Sequence, residues 1–158
     1  MVTYRNGDEL MMVLRRALEI ELSFEHESQW EAYYEKEKLR ALLMELIVDS
    51  AQHAEMVQSL MAMVKVSPGK TFSPVRGREF NFKNKNELEM MMDLGRTEIL
   101  MRDLYTDVRD SFSSSPAGLL LDDADAHRFL TTINSLIAAE QHHSELVAKH
   151  VGKVERVR

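Results

Sequence analysis

Glu140 and His143 stand three residues apart in the stretch Ala139-Glu140-Gln141-His142-His143. A helix makes a turn about every 3.6 residues, so this spacing sets a carboxylate and an imidazole side by side on one face. The same stripe carries Phe129, Thr132, Ile133, Leu136 and Val147 and is otherwise mainly apolar. A polar pair aimed into a core is costly unless its members are hydrogen-bonded or hold a metal.

Other stripes carry comparable groups. His53 is preceded by Ser50 three residues earlier, and Asp49 lies at the margin one turn before His53. Glu98 is followed by Tyr105 seven residues on, and Glu27 by Tyr34 at the same interval. Seven residues is two turns on one face, so each tyrosine can reach a carboxylate on a neighbouring helix. Glu31, one turn after Glu27, is an extra ligand or an outer acceptor. His26 and His142 adjoin these positions but point about 100° away, towards the flank or the surface. His127 and His150 have no partner pattern. A lone buried histidine is usually a hydrogen-bonded core residue, and a lone tyrosine an aromatic with a polar tip. Glu27, His53, Glu98, Glu140 and His143 together are harder to explain that way. Unpaired buried charges cost several kcal/mol each, and a divalent cation would offset that cost. A self-satisfied Glu–His–Tyr network is the competing arrangement.

Four amphipathic segments must position these groups. Apolar residues at Val13, Leu14, Ala17, Ile20, Phe24, Trp30 and Tyr34 predict a first helix over about residues 8–36. Leu39, Leu42, Leu43, Leu46, Ile47, Val57, Leu60, Met61 and Val64 predict a second over about 38–66, antiparallel to the first across a short turn. Ser67-Pro68-Gly69, Ser73-Pro74 and Gly77 make 67–85 irregular. That segment carries Lys70, Arg76, Arg78, Lys83 and Lys85, reads as a solvated crossover, and has Phe72, Phe80 and Phe82 to pin it down. It is long enough to run the length of a bundle and start the next helix from the far end. Asn86 with Glu89 resembles a capping box and opens a third helix over about 86–112. A fourth spans about 122–151, with Asp122 or Asp123 as cap, Gly152 as stop and Lys153 to Arg158 as a frayed end.

The 158 residues fit one domain, 1–158, with 44% hydrophobic and 29% charged residues, a composition of folded rather than disordered chains. The absence of cysteine excludes disulfides, thiolate metal sites and catalytic thiols. A net charge of −6 argues against nucleic-acid partners. No apolar run approaches the roughly 20 residues that cross a bilayer, so no membrane partner is expected. Met1 to Asp8 lacks a signal-peptide pattern, which makes the cytoplasm the expected compartment.

The ordered set of polar groups resembles the ferritin-like superfamily, and within it the rubrerythrin-like carboxylate-bridged di-iron proteins. That family takes a Glu from each of two helices and a Glu-x-x-His from each of the other two. Glu27, Glu98 and the Glu140/His143 pair match residue by residue, and Glu27-Ser28-Gln29 with Tyr34 looks like the first helix of rubrerythrins. The resemblance implies an all-α, ferritin-like four-helix bundle with a long crossover between helices 2 and 3. It also implies Glu27 and Glu98 as terminal or bridging ligands, Glu140 as a bridge, His53 and His143 capping one metal each, and Tyr34 and Tyr105 behind the ligands. One position departs: where the pattern has Glu, this chain has Ser50, a poor ligand for iron or manganese. Asp49 is a substitute at a poor angle. The remaining donors suit two metals with water in the gap, one metal on the helix-three and helix-four side, or none. The rubredoxin-type domain of complete rubrerythrins is excluded by the lack of cysteine.

The resemblance implies iron or manganese, one or two ions, and reaction with dioxygen or peroxide of ferroxidase, peroxidase or oxidase type, with an external electron donor. The alternative is a degenerate ferritin-like bundle, altered at Ser50, that serves as a non-enzymatic structural or partner-binding protein. A homodimer is expected, with Met11, Met12, Met90 and Met92 as candidate contacts.

Overall fold

The computed structural model describes residues 2–115 and 117–157, and among them all regular structure is helical. Helix α1 spans Gly7–Ser23 and α2 spans Glu27–Glu35. A 3₁₀ turn at Glu37–Leu39 leads into α3, Arg40–Met63. The irregular crossover then reaches α4, Glu87–Ser111, followed by the single turn α5, Ala117–Leu120, and the long α6, Asp123–Val157. Helix α4 lies along α6 and α1 along α3, with α3 also against α6 and α1 against α4. The four long helices thus enclose one core, in which Leu10, Leu14, Leu43, Leu46, Met91, Leu94, Phe129 and Leu136 are fully buried.

The expected first helix over 8–36 is in fact two. Nothing in the local sequence forces a stop, since neither proline nor glycine falls between Asp8 and Lys36. The break comes from side chains that bond the backbone of a distant segment. The Ser23 hydroxyl donates to Glu19 O at 2.6 Å and accepts from the Arg78 amide at 2.8 Å. The Ser28 hydroxyl accepts from the Phe80 amide at 3.3 Å. The His26 ring caps α2 by accepting from the Ser28 amide at 3.2 Å. Serine and histidine side chains offer the backbone an alternative to helix here, and the crossover takes it.

The crossover climbs alongside α1. The amide and hydroxyl of Ser67 donate to Asp8 at 2.8 and 2.6 Å, beside the first turn of α1. Further on, Arg15 meets Ser73 and the Phe72 ring, Arg78 meets Glu19, and Phe80 packs on Phe24 with ring centroids 5.2 Å apart. At Gly77 the two backbones nearly touch: a Cβ there would lie 2.4 Å from Leu22 O, so only glycine fits. The segment therefore carries the chain from the end where α3 finishes to the end where α1 finishes. Helices α3 and α4 then run the same way, and α1 and α6 the opposite way. The basic residues are partly neutralised: Lys70 pairs with Asp8 at 3.5 Å, Arg78 with Glu19 and Lys85 with Asp93.

The capping box at α4 is formed in both directions, with Glu89 N donating to Asn86 Oδ1 at 2.9 Å and Asn86 N donating to Glu89 Oε2 at 3.0 Å. Gly152 does not stop the last helix, which continues to Val157. Of the four methionines expected at the surface, Met11 and Met90 are buried in the core, and Met12 and Met92 are exposed. Met12 lies about 100° round its helix from Met11 and Met92 about 200° round from Met90, which turns each away from its buried counterpart. No helix among the described residues is long and apolar enough to cross a membrane.

Candidate metal centre

Five ionisable side chains from all four long helices meet in the core. Glu21 comes from the last turn of α1, His53 from the middle of α3, Glu98 from α4, and Glu140 and His143 from α6. Glu21, Glu98, Glu140 and His143 are each 1% exposed and His53 is 6% exposed. The two rings lie 5.4 Å apart at 31°. Nδ1 of His53 is 2.9 Å from Oε1 of Glu140 and 3.6 Å from Oε1 of Glu21. Nδ1 of His143 is 3.4 Å from Oε2 of Glu98 and 3.8 Å from Oε2 of Glu140. Glu140 thus offers one oxygen to each imidazole.

These groups approach without being satisfied. Nδ1 of His53, Nδ1 of His143, Oε1 of Glu98 and Oε1 of Glu140 are buried and make no hydrogen bond. The 2.9 Å contact between His53 and Glu140 is an electrostatic approach, not an aligned hydrogen bond. Donor atoms of His53, Glu140 and His143 all lie within 4.8 Å of one another, a spacing that one cation could span. Unsatisfied nitrogen and oxygen atoms converging from different helices suit a divalent ion, which needs several lone pairs at once.

The outer partners hold these donors in place. Nε2 of His143 donates to Oδ2 of Asp49 at 2.9 Å, which leaves Nδ1 facing Glu98 and Glu140. A carboxylate behind a ligating imidazole fixes ring orientation and raises its basicity. The Tyr105 hydroxyl donates to Oε1 of Glu21 at 2.8 Å. Ser50 is buried on the same face of α3 as His53, three residues before it.

Burial raises the pKa of Glu98 well above the ordinary carboxyl value and also raises that of Glu21. Burial acts on Glu140 in the same direction, but His143, His53 and Glu98 outweigh it and hold Glu140 below the ordinary value. For His53 burial alone would lower the pKa, yet Glu140 and Glu21 lift it to about 9. For His143 the same opposition, resolved by Glu140, Glu98 and Asp49, gives about 11. Burial pushes the Tyr105 phenol well above its usual range, with Glu21 and Glu140 adding to the effect. The neighbouring carboxylates thus favour the protonated form of both imidazoles.

Of the residues singled out by spacing, the structure brings together His53, Glu98, Glu140 and His143, with Asp49 and Tyr105 against them and Ser50 on the His53 face. It does not bring in Glu27, Glu31 or Tyr34. Glu27 is the exposed first residue of α2, Glu31 is exposed one turn on, and Tyr34 is 71% exposed in a surface cluster with Trp30 and Tyr33. The break at residues 24–26 removes the register that linked them to Ile20. Glu21 takes the place expected of Glu27. Its sequence signal was its position: seven residues after Leu14 and four after Ala17, it continues the α1 stripe. His142, expected at the flank or the surface, is exposed and pairs with Glu45 at 3.1 Å.

Comparison of the chain with protein-family models, curated proteins and solved structures finds no match.

Proposed function

We propose that this chain is a ferritin-like four-helix bundle that binds iron or manganese through Glu21, His53, Glu98, Glu140 and His143, in the manner of the rubrerythrin-like di-iron proteins. The observation that carries this reading is the set of buried, unsatisfied donors: Nδ1 of His53, Nδ1 of His143, Oε1 of Glu98 and Oε1 of Glu140. A purely structural polar layer would be expected to pair such atoms, because each one left unsatisfied costs about 1–3 kcal/mol. Hard carboxylate oxygens combined with neutral imidazoles favour iron or manganese over softer ions. The helix directions support the fold reading, since one long crossover with two helices running each way is the ferritin-like arrangement.

Within this reading each residue has a role set by what it touches. Glu140, with one oxygen towards each imidazole, would serve both sides of the site. Glu21 serves the His53 side and Glu98 the His143 side. Asp49 and Tyr105 keep His143 and Glu21 oriented. Leu46, Leu94 and Leu136, each one helical turn before Ser50, Glu98 and Glu140 respectively, are fully buried. When bound, iron or manganese would supply electron exchange with dioxygen or peroxide, with reducing equivalents from an external donor. The partner is a second copy of the chain, and exposed Met12 and Met92 are available for that contact.

Metal content after purification without chelators tests the reading. One or two iron or manganese ions per chain, lost together in the combined Glu140→Ala/His143→Ala variant, is the expected result. No metal, with an unchanged melting temperature in excess Fe²⁺ under anaerobic conditions, would overturn it. Ser50 gives the second reading its footing, since loss of a ligand carboxylate there fits a bundle that kept its polar core only as a structural layer. The second outcome would establish that alternative.

A further inference from the structure

Helix α4 buries Met91, Leu94, Glu98, Met101, Tyr105 and Val108 on one side. At about 100° per residue, the arc opposite that stripe holds Met92, Arg96, Ile99, Leu100 and Asp103. The far side of a bundle helix is ordinarily polar. Here Met92, Ile99 and Leu100 are 44%, 44% and 51% exposed, and no other helix among the described residues exposes more than one large apolar side chain. Opposite charges frame the patch. Arg96 stands one turn before Ile99, and Asp103 one turn after Leu100. Both keep bonding capacity: Arg96 meets Asp93 through Nη1 alone, at 3.3 Å, and Asp103 accepts from Arg102 through Oδ1 alone.

We propose that this face of α4 is the contact between two copies of the chain, packed antiparallel about a twofold axis that passes between Ile99 and Leu100. The inference rests on the reading above that the partner is a second copy, gives that contact its surface and register, and involves no metal. In a twofold contact each pairing occurs twice, once in each direction. With the axis at this point Ile99 meets Leu100 of the partner subunit, and Arg96 meets Asp103 of the partner subunit on both sides of the apolar centre. Moving the axis one turn either way sets Arg96 against its own copy or Asp103 against its own copy, and parallel packing does both. Facing like charges are costly, so charge selects one register. Exposed Glu89 and Asp110 also face each other in that register, roughly 16 Å from the axis. Their repulsion favours the steep crossing class near 50°, which carries the helix ends apart. Helices crossed so steeply touch over a short length and bury well under the roughly 800 Å² per partner of a standard interface, so the dimer is weak and reversible.

Analytical ultracentrifugation of the full chain from about 1 μM to about 1 mM should show a concentration-dependent equilibrium of monomer and dimer. Arg96→Asp and Asp103→Arg should each weaken the dimer by about tenfold or more, and the double variant should return it to within about threefold of the unaltered chain. All three changes lie on the exposed arc, so circular dichroism should show an unchanged helical fold. The chain has no cysteine, so single cysteines placed on α4 report the pairing directly. Under mild oxidation Ile99→Cys should form a disulfide-linked dimer. Arg96→Cys alone should not, because its two copies lie roughly 10 Å apart along the pair, beyond disulfide reach, whereas a mixture of Arg96→Cys with Asp103→Cys should cross-link. A dimer unchanged by the single charge variants, a double variant no tighter than the singles, or Arg96→Cys linked to itself would overturn the inference and leave a second copy as partner through another face. A monomer at every concentration would overturn both.

Discussion

Asp49, partly exposed on α3, accepts a hydrogen bond from Nε2 of the fully buried His143 on α6 at 2.9 Å. The contact ties the solvent side of the α3–α6 seam to the core, and it decides which ring nitrogen of His143 faces Glu98 and Glu140. Replacing Asp49 with Ala removes the acceptor and leaves a buried N–H unpaired. Thermal or urea unfolding should show a loss of about 1–3 kcal/mol in the metal-free protein. Metal affinity should fall by roughly 10–100-fold. Asp49→Asn keeps an acceptor oxygen and should recover most of the stability but only part of the affinity. Equal affinities for Asp49→Ala and the unaltered chain would show that the ring is oriented by its packing alone.

The two glutamates near the α1–α2 break make a sharper contrast. Glu21 is buried, accepts from the Tyr105 hydroxyl and lies 3.6 Å from His53, while Glu27 is exposed. Glu21→Gln should lower metal stoichiometry or affinity by at least tenfold while leaving the fold intact, because the amide keeps an acceptor for Tyr105. Glu27→Gln should change neither metal binding nor stability by more than about 0.5 kcal/mol, the usual range for an exposed substitution. Metal titrations of the two variants in parallel would check this. A dependence on Glu27 equal to that on Glu21 would mean that α2 packs differently from the arrangement seen here.

That contrast also shows what was legible in the residues. Helical periodicity gave the long segments, and the three-residue and seven-residue spacings gave His53, Glu98, Tyr105, Glu140 and His143, because each lies well inside an unbroken helix. Glu27 and Tyr34 failed for one reason. Spacing was carried across residues 24–26, where the helix ends because Ser23 and Ser28 accept amides of Arg78 and Phe80. A partner more than fifty residues away leaves no mark in the local pattern. The continuation of α6 past Gly152 has the opposite character: a residue that often ends helices is tolerated inside one at a modest cost of about 1 kcal/mol.

Gln29 is a buried amide near the same break. It is 0% exposed, and neither Oε1 nor Nε2 makes a hydrogen bond. Its position on α2, outside the set of converging donors, gives it no part in the proposed metal site. Gln29→Met, of similar volume and without polar atoms, should therefore stabilise the protein by about 1 kcal/mol and leave metal binding unchanged. Denaturant unfolding together with a Mn²⁺ titration measures both. A loss of stability would show that the amide is satisfied through bound water, and a loss of metal affinity that α2 reaches the site.

The pH dependence of the metal-free protein follows from the charges in its core. His53 and His143 have folded pKa values of about 9 and about 11, above the ordinary histidine value of 6.5. Their contribution to stability is fully present below that ordinary value and is lost as pH rises through 9 and then towards 11. Glu21 and Glu98, whose values are raised by burial, act in the same sense: their protonated forms are favoured, and raising the pH past their folded values removes stability. Glu140 acts oppositely, contributing above its ordinary value and losing that contribution as pH falls towards its lowered one. Metal-free protein should thus melt at steadily lower temperature from neutrality to about pH 10. Metal uptake demands neutral imidazoles and ionised carboxylates, so it should release protons, and affinity should rise over the same interval. Melting curves of chelator-treated and Mn²⁺-loaded protein across that range should diverge as pH increases. Parallel curves would mean that metal uptake releases no protons, so that the imidazoles are neutral and the carboxylates ionised before the metal binds.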